Sequence, residues 1–471
     1  MFSLTQKSKL DSIDSRINNF PEWMPPMLVK ELRQGLRTRS FVLGLIVSQL
    51  ILYSCVLIGF NVGSRSAGGE MLSGFLIGIS FVMAAIIQPL RGINGIAGDM
   101  KSKTLELMEM TRMNALGIIT GKWVSLFSQT LLFFVTLLPY LIFRYLLGGM
   151  DLIVEFGLIA LALLSSAVFI GLALCISCTR SVILRSIFIV SSAIIGAAAL
   201  DIYDLLDPMA DLFDGRHRFH PVVFIFLSAT SLSFLTYLIL ECGAMFFAPP
   251  AIQKDERIRL NCIYYAAGMG LICLITATPF FEVFVASTLF FAGIRLCGGH
   301  HLHNPKVAVD LQQIRFAQGP LRVILSAGWP AGYLSFLVLS LISVTAATFS
   351  NGLDLDDESL CYTLVSAISF SVIAAELLKH KIPHRPTCFL ITLAVQSTTC
   401  LMALFIEGAT RSNEAAEVLT IIPLAQIVTF KASYQADEVA MLCNPAYIVI
   451  AILISWKTLS RQAPAPSFAK A

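Results

Sequence analysis

The chain has 471 residues, of which 56% are hydrophobic and only 13% charged. Soluble domains carry about 25% charged residues, so a soluble globular protein is excluded. The net charge of +3 points to no nucleic-acid partner, and in so apolar a chain the placement of Lys and Arg matters more than their sum.

The first 40 residues are polar and mixed in charge, with no cleavable signal peptide, so the span from Phe41 is expected to act as an uncleaved anchor. Within this segment "PPMLVKELRQGLRTRSF", residues 25–41, has Leu28, Leu32 and Leu36 on one helical face. Lys30, Arg33 and Arg37 lie off that face, suited to lipid head groups. From Phe41 onward, apolar runs of about 20 residues recur almost to the C-terminus. They predict an all-α polytopic membrane protein of about twelve spans. Six fall near 41–60, 71–90, 123–147, 152–177, 182–200 and 221–247. Six more fall near 261–279, 282–297, 328–349, 360–378, 386–406 and 445–457, the last being short. The run 418–430 is about thirteen residues long with Pro423 inside, and is read as re-entrant or interfacial. The hydropathy divides after about residue 250, giving a segment 1–40, a six-span domain 41–250 and a second six-span domain 251–471.

Basic residues orient this arrangement. With the N-terminus in the cytoplasm, 27 of the 33 Lys and Arg fall on the cytoplasmic side and five outside. The outer loops are acidic: "DIYDLLDPMADLFD" carries five aspartates. Both termini are therefore expected in the cytoplasm, with the protein in the plasma (inner) membrane.

One segment breaks the pattern. Residues 98–122, "GDMKSKTLELMEMTRMNALGIITGK", are polar and charged, yet they join two spans that a turn of five residues would connect. Met100, Thr104, Leu107, Met108 and Thr111 fall on one helical face. Lys103 with Glu106, and Glu109 with Arg112, form i,i+3 pairs of opposite sign. Asn114 is placed to cap a short helix, 115–120, that runs into the next span. A short amphipathic helix pinned at both ends is expected. It either lies on the lipid surface or docks a cytoplasmic partner and passes force to the spans.

"IAGDMKSKTLELMEMTRMNALGIITGKWVSL" resembles the cytoplasmic coupling segment of ABC transporter permeases of the type-2 exporter superfamily. Thr104, Leu105, Glu106, Leu107, Thr111, Gly121 and Lys122 match that pattern, and Asp99 stands at its leading acidic position. Lys103 replaces a usual Gly, and Arg112-Met113-Asn114 replaces Pro-Leu-Ser. Residues 25–41 are similar to the elbow helix of the same permeases, with Lys30, Glu31, Leu32, Arg33 and Arg37 in it. The resemblance implies a permease subunit that is not itself an enzyme. Its partner would be a soluble ABC ATPase subunit that binds ATP and Mg, with no cofactor on this chain, and the assembly would be a dimer or pseudo-dimer of six-span units. Coupling to the ATPase would fall to Asp99, Thr104, Leu105, Glu106, Leu107 and Thr111, while Glu31 on the elbow would serve membrane placement. "GIITGK" fails as a Walker A phosphate cradle, since Trp123 follows its Lys and the first Gly is one residue too near. The apolar spans favour a hydrophobic or amphipathic substrate.

Other constellations are weaker. "CGGHHLHNP", residues 297–305, clusters three His beside a Cys, but not at helical i,i+4 spacing and with no nearby carboxylate. It is the candidate site for the competing reading, a polytopic enzyme or assembly factor acting on lipid or glycan. The Cys175–Cys178 CxxC has no second pair and reads as small residues packing between helices. Arg144 and Glu155, near the outer ends of consecutive spans, are expected to pair. Gln88 with Arg91 reads as a head-group anchor at the inner end of the second span.

Overall fold

The computed structural model describes residues 26–61, 65–101, 114–147, 152–179, 185–186, 221–247, 255–276, 281–299, 328–351, 355–379, 381, 385–410, 422–423 and 434–462. Among them there is no strand. That is the outcome hydrocarbon imposes on so apolar a chain, because a helix satisfies its backbone polar groups within one segment. The chain forms two compact units, Met1–His217 and Arg218–Ala471.

The first unit opens with α1 (Pro26–Leu36) and α2 (Arg39–Asn61). Next comes α3 (Arg65–Val82), which leads through a π-turn (Met83–Ile87) into α4 (Gln88–Gly92) and α5 (Gly95–Lys101). Two long helices close the unit, α6 (Ala115–Leu147) and α7 (Leu152–Cys178). Its core joins Leu52 of α2, Leu72 and Leu76 of α3, Met83 of the π-turn and Phe133, Leu137 and Leu141 of α6. The outward faces stay apolar: Leu43 and Leu50 on α2 are each 60% exposed, and Leu146 on α6 is 67% exposed. Exposed leucines in that number suit a lipid surface.

The π-turn has a local cause. Pro89 lacks an N–H and its ring crowds the carbonyl four residues back, so a regular α-turn is disfavoured there. The chain widens instead, and the Gln88 N–H donates to the Met83 carbonyl.

The second unit contains α8 (Pro221–Phe247), α9 (Asp255–Thr276), α10 (Phe281–Cys297) and α11 (Trp329–Asn351). It ends with α12 (Leu355–Leu377), α13 (Arg385–Thr410) and α14 (Tyr434–Gln462). Trp329, Tyr333, Phe336 and Phe389 are fully buried in it. Between them runs a seam of hydroxyls: Tyr333 Oη meets Ser369 Oγ at 2.8 Å, and Gln396 Nε2 donates to Ser371 Oγ at 2.8 Å. Small polar residues of this kind let apolar helices approach closely. Gly332 is required by such an approach, since a Cβ there would collide with the Leu296 carbonyl oxygen.

Five helices among the described residues are long and apolar enough to cross a membrane: Phe41–Ile58, Leu72–Asp99, Ala115–Leu146, Ile159–Cys178 and Phe226–Phe246. All but residues 185–186 of the expected span 182–200, and all but residues 422–423 of the run 418–430, lie outside the described residues. The last helix is longer than the sequence suggests. It begins at Tyr434 and passes through Pro445, although its apolar part covers only Cys443–Leu459.

Candidate functional site

The polar segment 98–122 is described at both ends. α5 carries Asp99 at the segment's start, and α6 starts at Ala115 directly after Asn114, whose carbonyl accepts the Ile118 N–H at 3.1 Å. Thr104, Leu105, Glu106, Leu107 and Thr111 lie in 102–113, outside the described residues.

The two ends are held together by one lysine. Lys122 Nζ lies 2.8 Å from Asp99 Oδ2 and donates to Glu31 Oε1 at 3.0 Å. The lysine side chain is 7% exposed, Glu31 19% and Asp99 25%. One cation therefore neutralises part of two carboxylates that are 68 residues apart in the chain. Three elements meet at it: α1 through Glu31, α5 through Asp99 and α6 through Lys122. A pair this withdrawn from solvent interacts more strongly than a surface ion pair.

Each element is positioned by its own contacts. α1 packs on α6; Leu28, Glu31, Leu32 and Gly35 are half-buried, while Lys30, Arg33 and Arg37 are exposed. Leu36, read on the same face as Leu28 and Leu32, is 38% exposed. Gly35 lets α1 lie against Gln129, because a Cβ there would strike the Gln129 amide. The turn after α1 is fixed by Arg91, whose Nη2 donates to the Gly35 carbonyl at 3.2 Å and to Thr38 Oγ1 at 2.9 Å. Its Nη1 donates to Gln88 Oε1 at 2.9 Å, and its guanidinium sits 5.0 Å from the centre of the Phe41 ring. The Gln88–Arg91 pair expected as a head-group anchor thus ties the second apolar helix to the α1–α2 junction.

α5 is held from α7. The Ile96 and Ala97 N–H groups donate to Ser177 Oγ at 3.0 and 3.1 Å, so a serine 80 residues away caps this helix. Ser177 sits inside the Cys175–Cys178 motif. Both cysteines are free thiols, and Cys178 Sγ donates to its own helix at the Leu174 carbonyl. Trp123, next to Lys122, donates to the Ala167 carbonyl at 2.9 Å and anchors the start of α6 on α7.

The remaining candidates fare differently. Arg144 is buried on α6, 3% exposed. The Glu155 side chain lies outside the described residues, and so do His300, His301 and His303. No three His, Cys, Asp or Glu among the described residues group as metal ligands would.

Taken together these features define a class, a polytopic all-helical protein whose long apolar helices are consistent with integration in a membrane. No protein-family model matches the chain, and no curated protein or solved structure matches it.

Proposed function

We propose that this chain is the membrane subunit of an ATP-driven ABC exporter of the type-2 permease kind. The observation that carries the reading is the junction of Lys122 with Asp99 and Glu31. It staples the base of the segment resembling a coupling helix and joins that base to the helix resembling an elbow. A helix that merely rests on lipid has no need of a buried ion bridge at its root. A helix that receives a push needs a stiff connection to the spans.

On this reading a separate ATPase subunit binds ATP and Mg and docks on 102–113 through Glu106 and Glu109. Its closure moves α5, α6 and α1 together and switches the spans between inward-open and outward-open arrangements. Twelve spans in two sets of six, as a pseudo-dimer or as half of a dimer, would surround a path for a hydrophobic or amphipathic substrate. Both termini face the cytoplasm and the protein resides in the plasma (inner) membrane, as the 27 basic residues on one side favour. The test is purification of the tagged full chain from its native membrane with its partner retained. A Walker-motif ATPase should co-purify stoichiometrically, and Glu106→Lys should release it while the permease stays monodisperse. Full retention of the ATPase by Glu106→Lys, or absence of any ATPase from the native preparation, contradicts the reading.

A further inference from the structure

Between residues 25 and 61 the chain has one acidic residue, Glu31. The fold turns it inward. Glu31 is 19% exposed and accepts a hydrogen bond from Lys122 Nζ at 3.0 Å, on the side of α1 that packs on α6. Lys30, Arg33 and Arg37 are exposed, and their i, i+3, i+7 spacing puts them on one helical face. Arg39, the first residue of α2, is exposed as well. The outer side of α1 is therefore cationic, with no exposed carboxylate of its own.

This face stands at the edge of the apolar belt. Gly35 abuts Gln129 of α6, and the first large apolar residues exposed on α6, Leu131 and Leu132, follow within one turn. On α2 the exposed apolar residues begin at Val42 and Leu43, just past the turn that Thr38 makes with Gly35. Leu36, between Arg33 and Arg37, is itself 38% exposed. A cationic helix with an apolar residue showing, set where the hydrocarbon-facing side chains end, is complementary to the phosphate layer of a lipid leaflet. A soluble acidic partner would match the charge but not the position.

We propose that the outer face of α1 binds anionic lipid head groups, and that this binding tightens the Lys122 junction. Basic side chains near an anionic leaflet are attracted to it over about a Debye length. Holding α1 against the leaflet keeps Glu31 on Lys122, and Asp99 shares that lysine. The charge of the surrounding lipid is thereby felt at the root of residues 102–113. No ATPase partner is required for this, so it stands or falls apart from the permease reading.

Hydrogen exchange is measured on the full chain in nanodiscs of phosphatidylcholine alone and of phosphatidylcholine mixed with phosphatidylglycerol. Exchange in 26–36 should be about fivefold slower, or more, in the anionic discs, and exchange in 95–101 should slow with it. Raising the salt to about 0.5 M should remove most of the difference. Lys30→Gln, Arg33→Gln and Arg37→Gln together should abolish the lipid dependence. Lys30→Arg, Arg33→Lys and Arg37→Lys together, which keep every charge, should preserve it. Native exchange that ignores lipid charge overturns the proposal, and so does a glutamine variant that keeps the native difference. Loss of the difference in the charge-conserving variant overturns charge as its cause. Slowing of 26–36 only when a soluble protein from the native membrane is retained, in either lipid, assigns the face to a protein and also overturns it. Slowing of 26–36 without 95–101 overturns the link to the junction.

Discussion

The two units handle buried charge in different ways. In the first, Lys122 reaches Asp99 and Glu31, residues 23 and 91 positions away, and so connects three helices. In the second, Glu376 takes Lys379 at 2.6 Å and Arg385 at 3.0 Å, partners three and nine residues away. Arg385 also lies 3.7 Å from the centre of the Trp329 ring. The second arrangement is a staple across one α12–α13 turn, steadied on the start of α11. The first is a bridge between parts of the chain that would otherwise move apart. Burying a charge is costly in both cases, so the difference lies in what each contact holds in place.

That contrast orders the expected effects. Lys122→Met removes the shared cation and leaves Glu31 and Asp99 facing each other. It should cost about 3 kcal/mol of stability, toward the lower end for a broken buried pair because both carboxylates keep some contact with water. Hydrogen exchange should speed up in α1 and α5 together, residues far apart in sequence. Arg385→Ala should cost about 2 kcal/mol, from the lost stacking on Trp329 and the lost pair, with Lys379 still on Glu376. Its exchange footprint should stay within 376–389 and around Trp329, leaving 95–122 as in the native chain. A footprint that reached α5 would erase the distinction between bridge and staple. Ser177→Ala is the smallest change. Loss of the cap on α5 should cost about 1 kcal/mol and raise exchange at Ile96 and Ala97 alone.

Much of the fold was legible because hydropathy and length are local properties. The α2, α6 and α7 helices follow the apolar runs at 41–60, 123–147 and 152–177, and α1 follows the amphipathic stretch at 25–41. α6 starts earlier than the run, at Ala115, because the helix expected over 115–120 continues into it without a break. α14 was underestimated because its first turns are polar and carry no hydropathy signal. At the site, Glu31, Asp99 and Lys122 each lay in a noticed motif, but their meeting depends on how α1 packs against α6, which no spacing rule encodes. Glu31, read as serving membrane placement, turned out to contact Lys122 directly. Ser177 was overlooked between two cysteines that drew attention for their own chemistry. Pro89 within an apolar run was the available signal for the π-turn.

Three charges bind α1, α5 and α6 into one body at the root of residues 102–113. Inverting the three signs shows whether attraction between them holds the helices together. Lys122→Glu alone should lower the melting temperature of the full chain in nanodiscs and raise exchange in 26–36 and 95–101, since three carboxylates would then crowd one half-buried point. Adding Glu31→Lys and Asp99→Lys restores attraction with every sign inverted. The triple variant should recover most of the melting temperature and the protection of both segments. A triple variant no better than Lys122→Glu, or a Lys122→Glu protein indistinguishable from the native chain, would contradict it.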